Sequence, residues 1–288
     1  MREFTIQAND GLSLSAAAFE ADGASAVVQI IHGLREHKER YYPLAEFLLS
    51  KGYSVVITDL RGHGLSVNAK YFLGHFESID ELLDDQLLIT DYIEKTYPGK
   101  DIFMIAHSQG AALARLYLKD NDTHIKKLIM TGAYAPSPAS YLARGICKFS
   151  KNRNHSNTVT GLVASIVNSP DEKKIFGNYT AALDYMNDPL IHGCRLTNGV
   201  IYSMAEATCL MQKVPVHKCL NENLRILLAY GSDDPTGRLG KMKRTVLNLN
   251  RDGYRHIFTA YYPQAKHAVL HEMYSEEIYK DISMFLSD

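Results

Sequence analysis

Two kinds of apolar patterning alternate along the chain. Short runs that are apolar almost throughout, Ala26–Ile31, Tyr53–Thr58, Ile102–Ile105 and Lys127–Met130, read as strands hidden on both faces. Between them apolar residues recur at helical spacing. One helix runs through Leu44, Phe47 and Leu48, with Pro43 in its first turn and Gly52 as its stop. A second opens on Ser78 and Glu81, an S-x-x-E capping box, carries the stripe Ile79, Leu82, Ile89, Ile93 and stops before Pro98-Gly99. Ahead of these, Phe4–Gln7 and Leu12–Phe19 flank Asn9-Asp10-Gly11 and predict a hairpin. After Met130 the strand signal stops. From about 136 to 215 only short helical segments follow (Thr158–Val167, Ala181–Met186, Val200–Met211), rich in Tyr and Met. The strand pattern returns at Leu224–Tyr230, with a helix over Leu239–Asn250, a strand over Ile257–Tyr262 and a last helix from Ser275. This alternation predicts an α/β fold with a mostly parallel central sheet, covered on both faces and carrying the N-terminal hairpin at one edge. Residues 1–135 and 216–288 would form the core, and 136–215 an inserted helical cap.

Composition narrows the class. At 288 residues, 46% hydrophobic and 22% charged, the chain has ample material for one core with an insertion. A net charge of −1 argues against a sequence-independent grip on nucleic acid. No apolar run reaches transmembrane length, and the N-terminus alternates like a strand, not like a signal peptide. Cys147, Cys194, Cys209 and Cys219 lack CxxC spacing, which favours free thiols in a reducing cytoplasm. Twelve histidines occur without HExxH or paired Cys/His spacing, so no metal site is expected.

In parallel sheets the working site lies beyond the carboxyl ends of the strands, where His32, Asp59, Ser108 and Thr131 all fall. Ser108 stands in Ala106-His107-Ser108-Gln109-Gly110, between a strand and a small-residue helix pattern. That context suits a G-x-S-x-G nucleophile elbow, with Ala106 in place of the first glycine. The plainer alternative is a serine N-cap. A serine hydroxyl needs a base, and the base an orienting acid. An aspartate after Leu224–Tyr230 and a histidine after the last strand supply both, in the order Ser, acid, His that the α/β-hydrolase arrangement uses. Asp233 and Asp234 compete for the acid. Asp234 is preferred for its register three residues past Gly231, leaving Asp233 as a turn residue. His267 lies in the loop after the strand and is the candidate base. His271 is a candidate pocket residue, while His107, His155 and His217 read as surface or packing. The oxyanion would be met by the backbone N–H groups of Gln109 and, from the His32-Gly33-Leu34 turn, of Leu34.

These residues resemble a known family. His32-Gly33-Leu34-Arg35-Glu36-His37-Lys38-Glu39-Arg40-Tyr41 is similar to the HGxxEHxxRY signature of monoacylglycerol lipases and lysophospholipase-like serine hydrolases. Asp59–Ser66 resembles their DxRGHGxS loop, Asp188-Pro189-Leu190 their DPL segment, and His267 with Glu272 the end of their pattern. The resemblance spans nearly the whole chain. It implies an α/β-hydrolase with a mobile helical cap, acting on carboxylic esters without metal or organic cofactor. It supports Ser108, Asp234 and His267 as a triad, with Leu34 and Gln109 as oxyanion donors. By the same analogy Glu36 and Arg40 shape the polar end of the pocket or brace the oxyanion turn, a salt bridge within the loop being the simpler role. Asp59, Arg61 and His63 read as loop architecture. Two departures stand out: Ala106 for glycine, and Gln109 where methionine is common, which alters what the acyl pocket admits. Tyr141, Phe149, Met186, Tyr202, Met204 and Met211 are candidate linings of an acyl tunnel, although apolar stripes at helix spacing are more often packing.

The expected activity is cytoplasmic serine ester hydrolysis of monoacylglycerol-, lysophospholipid- or similar small acyl-ester substrates. Contact with other molecules would be limited to the substrate and a transient touch of the cap on a membrane surface. Oligomeric state is open. Of the rivals on this fold, proline-type aminopeptidases usually carry HGGPG where this chain has HGLRE. Dehalogenases and epoxide hydrolases need Asp at 108. Thioesterase and acyltransferase activities share the acyl-enzyme step, and a non-catalytic binding protein is the rival from another class.

Overall fold

A computed structural model of the chain describes residues 1–132, 172–211, 217–237 and 239–288, with isolated positions 141, 144, 145 and 148. The strands are β1 (Arg2–Gln7), β2 (Ser13–Phe19), β3 (Ala26–Ile31), β4 (Ser54–Thr58), β5 (Asp101–His107), β6 (Lys127–Thr131), β7 (Arg225–Gly231) and β8 (His256–Tyr262). They form one sheet in the order β1-β2-β4-β3-β5-β6-β7-β8. From β4 through β8 the neighbours pair in parallel, and the β1–β2 hairpin adds antiparallel strands at the β4 edge. Every residue of β3 and β4 is buried, as their continuous apolar runs require.

The helices are α1 (Tyr42–Ser50), α2 (Ile79–Thr96), α3 (Gln109–Asn121), α4 (Glu172–Ile175), α5 (Tyr179–Asn187), α6 (Pro189–His192), α7 (Asn198–Leu210), α8 (Leu239–Asp252) and α9 (Ser275–Ser287). The period-two alternation of β5 divides the core. Ile102, Met104 and Ala106 pack on one face with Leu82 of α2, Leu113 of α3 and Leu249 of α8. Phe103 and Ile105 pack on the other with Leu44 of α1 and Ile282 of α9. The expected cap on α2 forms, with Ser78 Oγ accepting from Glu81 N at 3.2 Å. The Glu81 carboxylate, however, reaches back to Glu77 N and not to Ser78.

Within the expected cap, residues 172–211 hold the four helices α4–α7. The Thr158–Val167 helix and Phe149 lie outside the described residues. The resemblance implies that this cap moves, yet over 172–211 it is tied to the core at several places. Arg195 N donates to Leu73 O at 2.9 Å, and Ala268 N donates to Ile175 O at 3.0 Å. Ser203 Oγ donates to Glu77 O at 3.0 Å, and His37 Nε2 lies 2.6 Å from Asp188 Oδ2. Among the described residues no helix is long and apolar enough to cross a membrane.

Candidate active site

At the end of β5 the chain turns so sharply that Ser108 takes φ 52 and ψ −113. A side-chain-bearing residue there carries strain on the order of 1–3 kcal/mol. The turn closes only because of what surrounds it. A Cβ on Gly110 would collide with the carbonyl oxygens of Ile31 and His32, so α3 could not approach β3 with any larger residue. The Ala106 methyl, by contrast, is fully buried in the core cluster and is accommodated. Ser108 precedes the first residue of α3, but its side chain makes no capping bond. The N-cap alternative is therefore excluded. Its Oγ lies instead 2.9 Å from His267 Nε2.

Two loops meet at this serine. The chain leaving β7 carries the acid, and the chain leaving β8 carries the histidine. They pack so closely that a Cβ on Gly231 would strike the carbonyls of Ala265 and Lys266. Ser232 N donates to Tyr262 O and Asp233 N to Ala265 O, both at 2.9 Å. Of the two competing aspartates, only one faces the histidine. Asp234 is buried, with Oδ2 3.0 Å from His267 Nδ1, while Asp233 is exposed and accepts from Ser232 Oγ. Another side chain, not anticipated from the sequence, meets both of these groups. Thr236 donates from both N and Oγ1 to Asp234 Oδ1, each at 2.7 Å, and its Oγ1 sits 2.8 Å from His267 Nδ1. Nδ1–H thus points between a carboxylate and a hydroxyl, leaving the Nε2 lone pair facing Ser108. Burial opposes ionisation of Asp234, but hydrogen bonds from His267 and Thr236 outweigh it and lower its pKa.

The turn after β3 faces the serine from the other side. Among the described residues, neither Leu34 N nor Gln109 N, the two expected oxyanion donors, meets a backbone acceptor. Glu36 fixes the turn that carries Leu34: its Oε2 accepts from Gly33 N at 2.8 Å and from Tyr41 O–H at 2.7 Å. Arg40 Nε stands 3.5 Å from Glu36 Oε1, the expected loop salt bridge. Burial penalises the Glu36 carboxylate, yet the neighbouring His107, Arg40 and His271 and the Tyr41 hydroxyl hold it below the usual carboxylate range. The Arg40 guanidinium also stacks over Phe176 and Tyr185, joining this turn to the cap. Both amide atoms of the Gln109 side chain are buried and, among the described residues, without a hydrogen-bond partner.

His271 lies in a short 3-10 turn, Val269–His271, ahead of the last helix, with Nε2 3.9 Å from Glu36 Oε1. Met186 is a half-buried residue of α5, and Tyr202, buried on α7, donates from its hydroxyl to Glu206 at 2.9 Å. His107 is buried packing directly under the site: its ring centroid is 5.1 Å from that of His267, and Nδ1 is 2.9 Å from Thr131 Oγ1. Glu272 accepts from Lys266 N at 2.8 Å and Gly177 N at 3.2 Å, clamping the histidine loop to the end of α4. Arg61 is loop architecture, as expected, paired bidentately with Asp85 at 2.7 Å on each arm.

Three buried histidines predict how stability responds to acid. Burial pushes His107 down to about 4, and His63 and His271 down to about 3. Above an unfolded-state pKa of about 6.5 all three are neutral, folded or unfolded, and contribute no pH dependence. As pH falls below that value the unfolded chain takes up protons that the folded chain refuses, so stability drops. Each histidine contributes up to about 1.4 kcal/mol per pH unit until its folded pKa is reached. Urea midpoints measured between pH 7.5 and 4.5 should fall steeply below about pH 6.5. A flat profile would contradict neutral burial.

Comparisons with known proteins bear on the family and the fold. The family model described as serine aminopeptidase, S33, matches residues 22–274. An uncharacterized abhydrolase domain-containing protein of Dictyostelium discoideum is 30% identical over 213 residues, covering 73% of this chain but only 21% of that protein. Human monoglyceride lipase is 24% identical over 267 residues, covering 86% of this chain and 80% of that protein. A solved lipase in its open form superposes with a TM-score of 0.87 at 22% identity, covering 99% of this chain and 98% of that one. That likeness shows the fold. The family match takes in strands β3 to β8 and the loops that carry Ser108, Asp234 and His267, and the chain belongs to the serine aminopeptidase S33 family of α/β-hydrolases.

Proposed function

We propose that the chain is a serine carboxylic-ester hydrolase acting on monoacylglycerol-, lysophospholipid- or similar small acyl-ester substrates. The observation that carries this reading is the unbroken path Ser108 Oγ to His267 Nε2 (2.9 Å) and His267 Nδ1 to Asp234 Oδ2 (3.0 Å). Ser108 Oγ attacks the ester carbonyl carbon as its proton passes to Nε2. The oxygen that gains the electron pair is met by the N–H groups of Leu34 and Gln109, the latter at the positive end of α3. His267 then gives its proton to the leaving alcohol. Water, deprotonated by the same nitrogen, cleaves the acyl enzyme. Asp234 holds the imidazole in orientation and offsets its charge throughout. The core of residues 1–135 and 216–288 supplies this machinery, and the insertion 136–215, with Met186 and Tyr202 among its residues, borders the acyl group.

The human relative's name, monoglyceride lipase, and the HGLREHKERY turn support an ester substrate. The family description favours a second reading, release of N-terminal residues from peptides. That reaction needs a carboxylate free to hold the substrate's α-ammonium. Glu36, the acid of the oxyanion turn, is committed to Gly33, Tyr41 and Arg40. A panel of p-nitrophenyl esters, monoacylglycerols, lysophospholipids and aminoacyl amides separates the two: ester turnover supports the proposal, and turnover of amides alone refutes it.

Thr236 acts here as a positioning residue. Thr236→Val removes the hydroxyl shared by Asp234 and His267 at nearly constant volume, and should lower kcat/KM by about 10- to 100-fold, the range for a hydrogen bond to a charged group. Thr236→Ser, which keeps the hydroxyl, should restore the rate. An undiminished kcat/KM in the valine variant would reduce Thr236 to loop packing.

A further inference from the structure

The helix α8 presents a face that the hydrolytic site leaves unused. Its buried side, Met242, Asn248, Leu249 and Asp252, lies against the sheet and α3. On the opposite side Leu239, Lys243, Leu247 and Arg251 follow one another at i, i+4 spacing, and all four are exposed. Such residues share one ridge of a helix, here about 18 Å long at 1.5 Å per residue. Leu239 and Leu247 are 42% and 57% exposed, which is unusual for leucines flanked by cations. Arg244 stands beside the ridge, and Arg255 extends it past the helix end; both are exposed.

The charge of this segment departs from that of the whole. The chain as a whole carries 31 Lys and Arg against 32 Asp and Glu. Over residues 239–255, by contrast, stand Lys241, Lys243, Arg244, Arg251 and Arg255 against the single acid Asp252. That acid is buried and paired with Arg115 across the core, so it does not offset the surface cations. Among the described residues Lys243, Arg244, Arg251 and Arg255 form no ion pair. The outer ridge thus offers exposed leucines and unpaired cations together, the two kinds of side chain that an anionic bilayer interface takes up.

We propose that the outer ridge of α8 docks the protein on an anionic phospholipid surface, with Lys243, Arg244 and Arg251 meeting headgroup phosphates and Leu239 and Leu247 seated at the acyl boundary. A polyanion such as nucleic acid would satisfy the cations and leave the two leucines against a charged backbone. A bilayer satisfies both. The ridge also starts beside the site: Leu239 lines the same open cavity as Asp234, Asp233 and Tyr261. This surface is distinct from the cap, and the proposal stands apart from which ester is cleaved.

The test is co-sedimentation of the full chain carrying Ser108→Ala, which leaves lipid intact, with phosphatidylcholine vesicles prepared with and without phosphatidylglycerol. Binding is expected only when phosphatidylglycerol is present and should be lost at high salt. Lys243→Glu, Arg244→Glu and Arg251→Glu together should weaken it at least tenfold, each cation near the surface being worth about fivefold. Leu247→Ser should weaken it by several-fold at constant charge. The same charge reversal in the Ser108-containing chain should leave turnover of a soluble short-chain ester unchanged, so a failed docking surface and a failed hydrolase reading give different results. Equal binding to both vesicle types, no binding to either, or undiminished binding after charge reversal each overturns the proposal. Retention on a nucleic acid column without vesicle binding assigns the ridge to a polyanion and also overturns it.

Discussion

Ser108→Ala is expected to lower kcat on a p-nitrophenyl ester by about 10⁶, leaving a residual acceleration over water of about 10³–10⁴ from the oxyanion donors and binding. The size of the loss follows from the geometry. Ser108 Oγ is the hydroxyl within hydrogen-bond reach of His267 Nε2, and alanine leaves that nitrogen with only water to activate. KM should change little, because a hydroxymethyl contributes almost nothing to ground-state binding. His267→Ala should cost a similar factor, and the double variant no more than either single change, since nucleophile and base work as a unit. Multiplying losses in the double variant would mean that the two side chains act independently, contrary to the proposed mechanism.

The second large effect separates two adjacent aspartates. Asp234→Asn should reduce kcat by about 10⁴, the cost of presenting an amide where the imidazole needs a carboxylate. An asparagine placing its NH₂ toward His267 favours the tautomer with the proton on Nε2, which then cannot accept from Ser108. Asp233→Asn should leave the rate within about twofold, because an exposed carboxylate held by Ser232 contributes little. Kinetics of the two variants side by side decide the assignment, and a reversed order would move the acid to Asp233.

What the chain disclosed in advance, and what it withheld, divides by distance along the sequence. Strands β3, β4 and β5 were legible because burial on both faces leaves an unbroken apolar run, and the elbow because its strand, serine and glycine are consecutive. The rim positions of His32, Asp59, Ser108 and Thr131 followed from strand ends alone, whereas Asp234 was chosen over Asp233 by its register past Gly231. Thr236 was not legible: its role depends on His267, 31 residues on, and a threonine after Asp-Pro otherwise reads as a turn residue. The Arg61–Asp85 pair likewise joins a loop to the buried face of α2, where the helical pattern shows only a charge. Within residues 172–211 the two longer helices were legible, as Ala181–Met186 and Val200–Met211, and the short ones were not. Helices as short as Pro189–His192 have no full period to detect, and their anchorage is visible only once His37 and Asp188 stand 2.6 Å apart across 151 residues.

Ala106 and Gln109 show the two outcomes a departure from a motif can have. The first is absorbed, since an inward methyl simply joins the core cluster of β5. The second leaves a buried side-chain amide with no hydrogen-bond partner among the described residues, one position from Ser108. Its backbone N–H, the proposed oxyanion donor, is present whichever side chain stands there.

The most direct measurement of the central claim is reaction of the intact chain with a fluorophosphonate, followed by mass spectrometry of the adduct and its peptides. Activation of Ser108 by His267 predicts one phosphonyl group per chain, located on Ser108, absent in Ser108→Ala and formed orders of magnitude more slowly in His267→Ala. An adduct on another residue, or labelling of Ser108 at the same rate without His267, would contradict it.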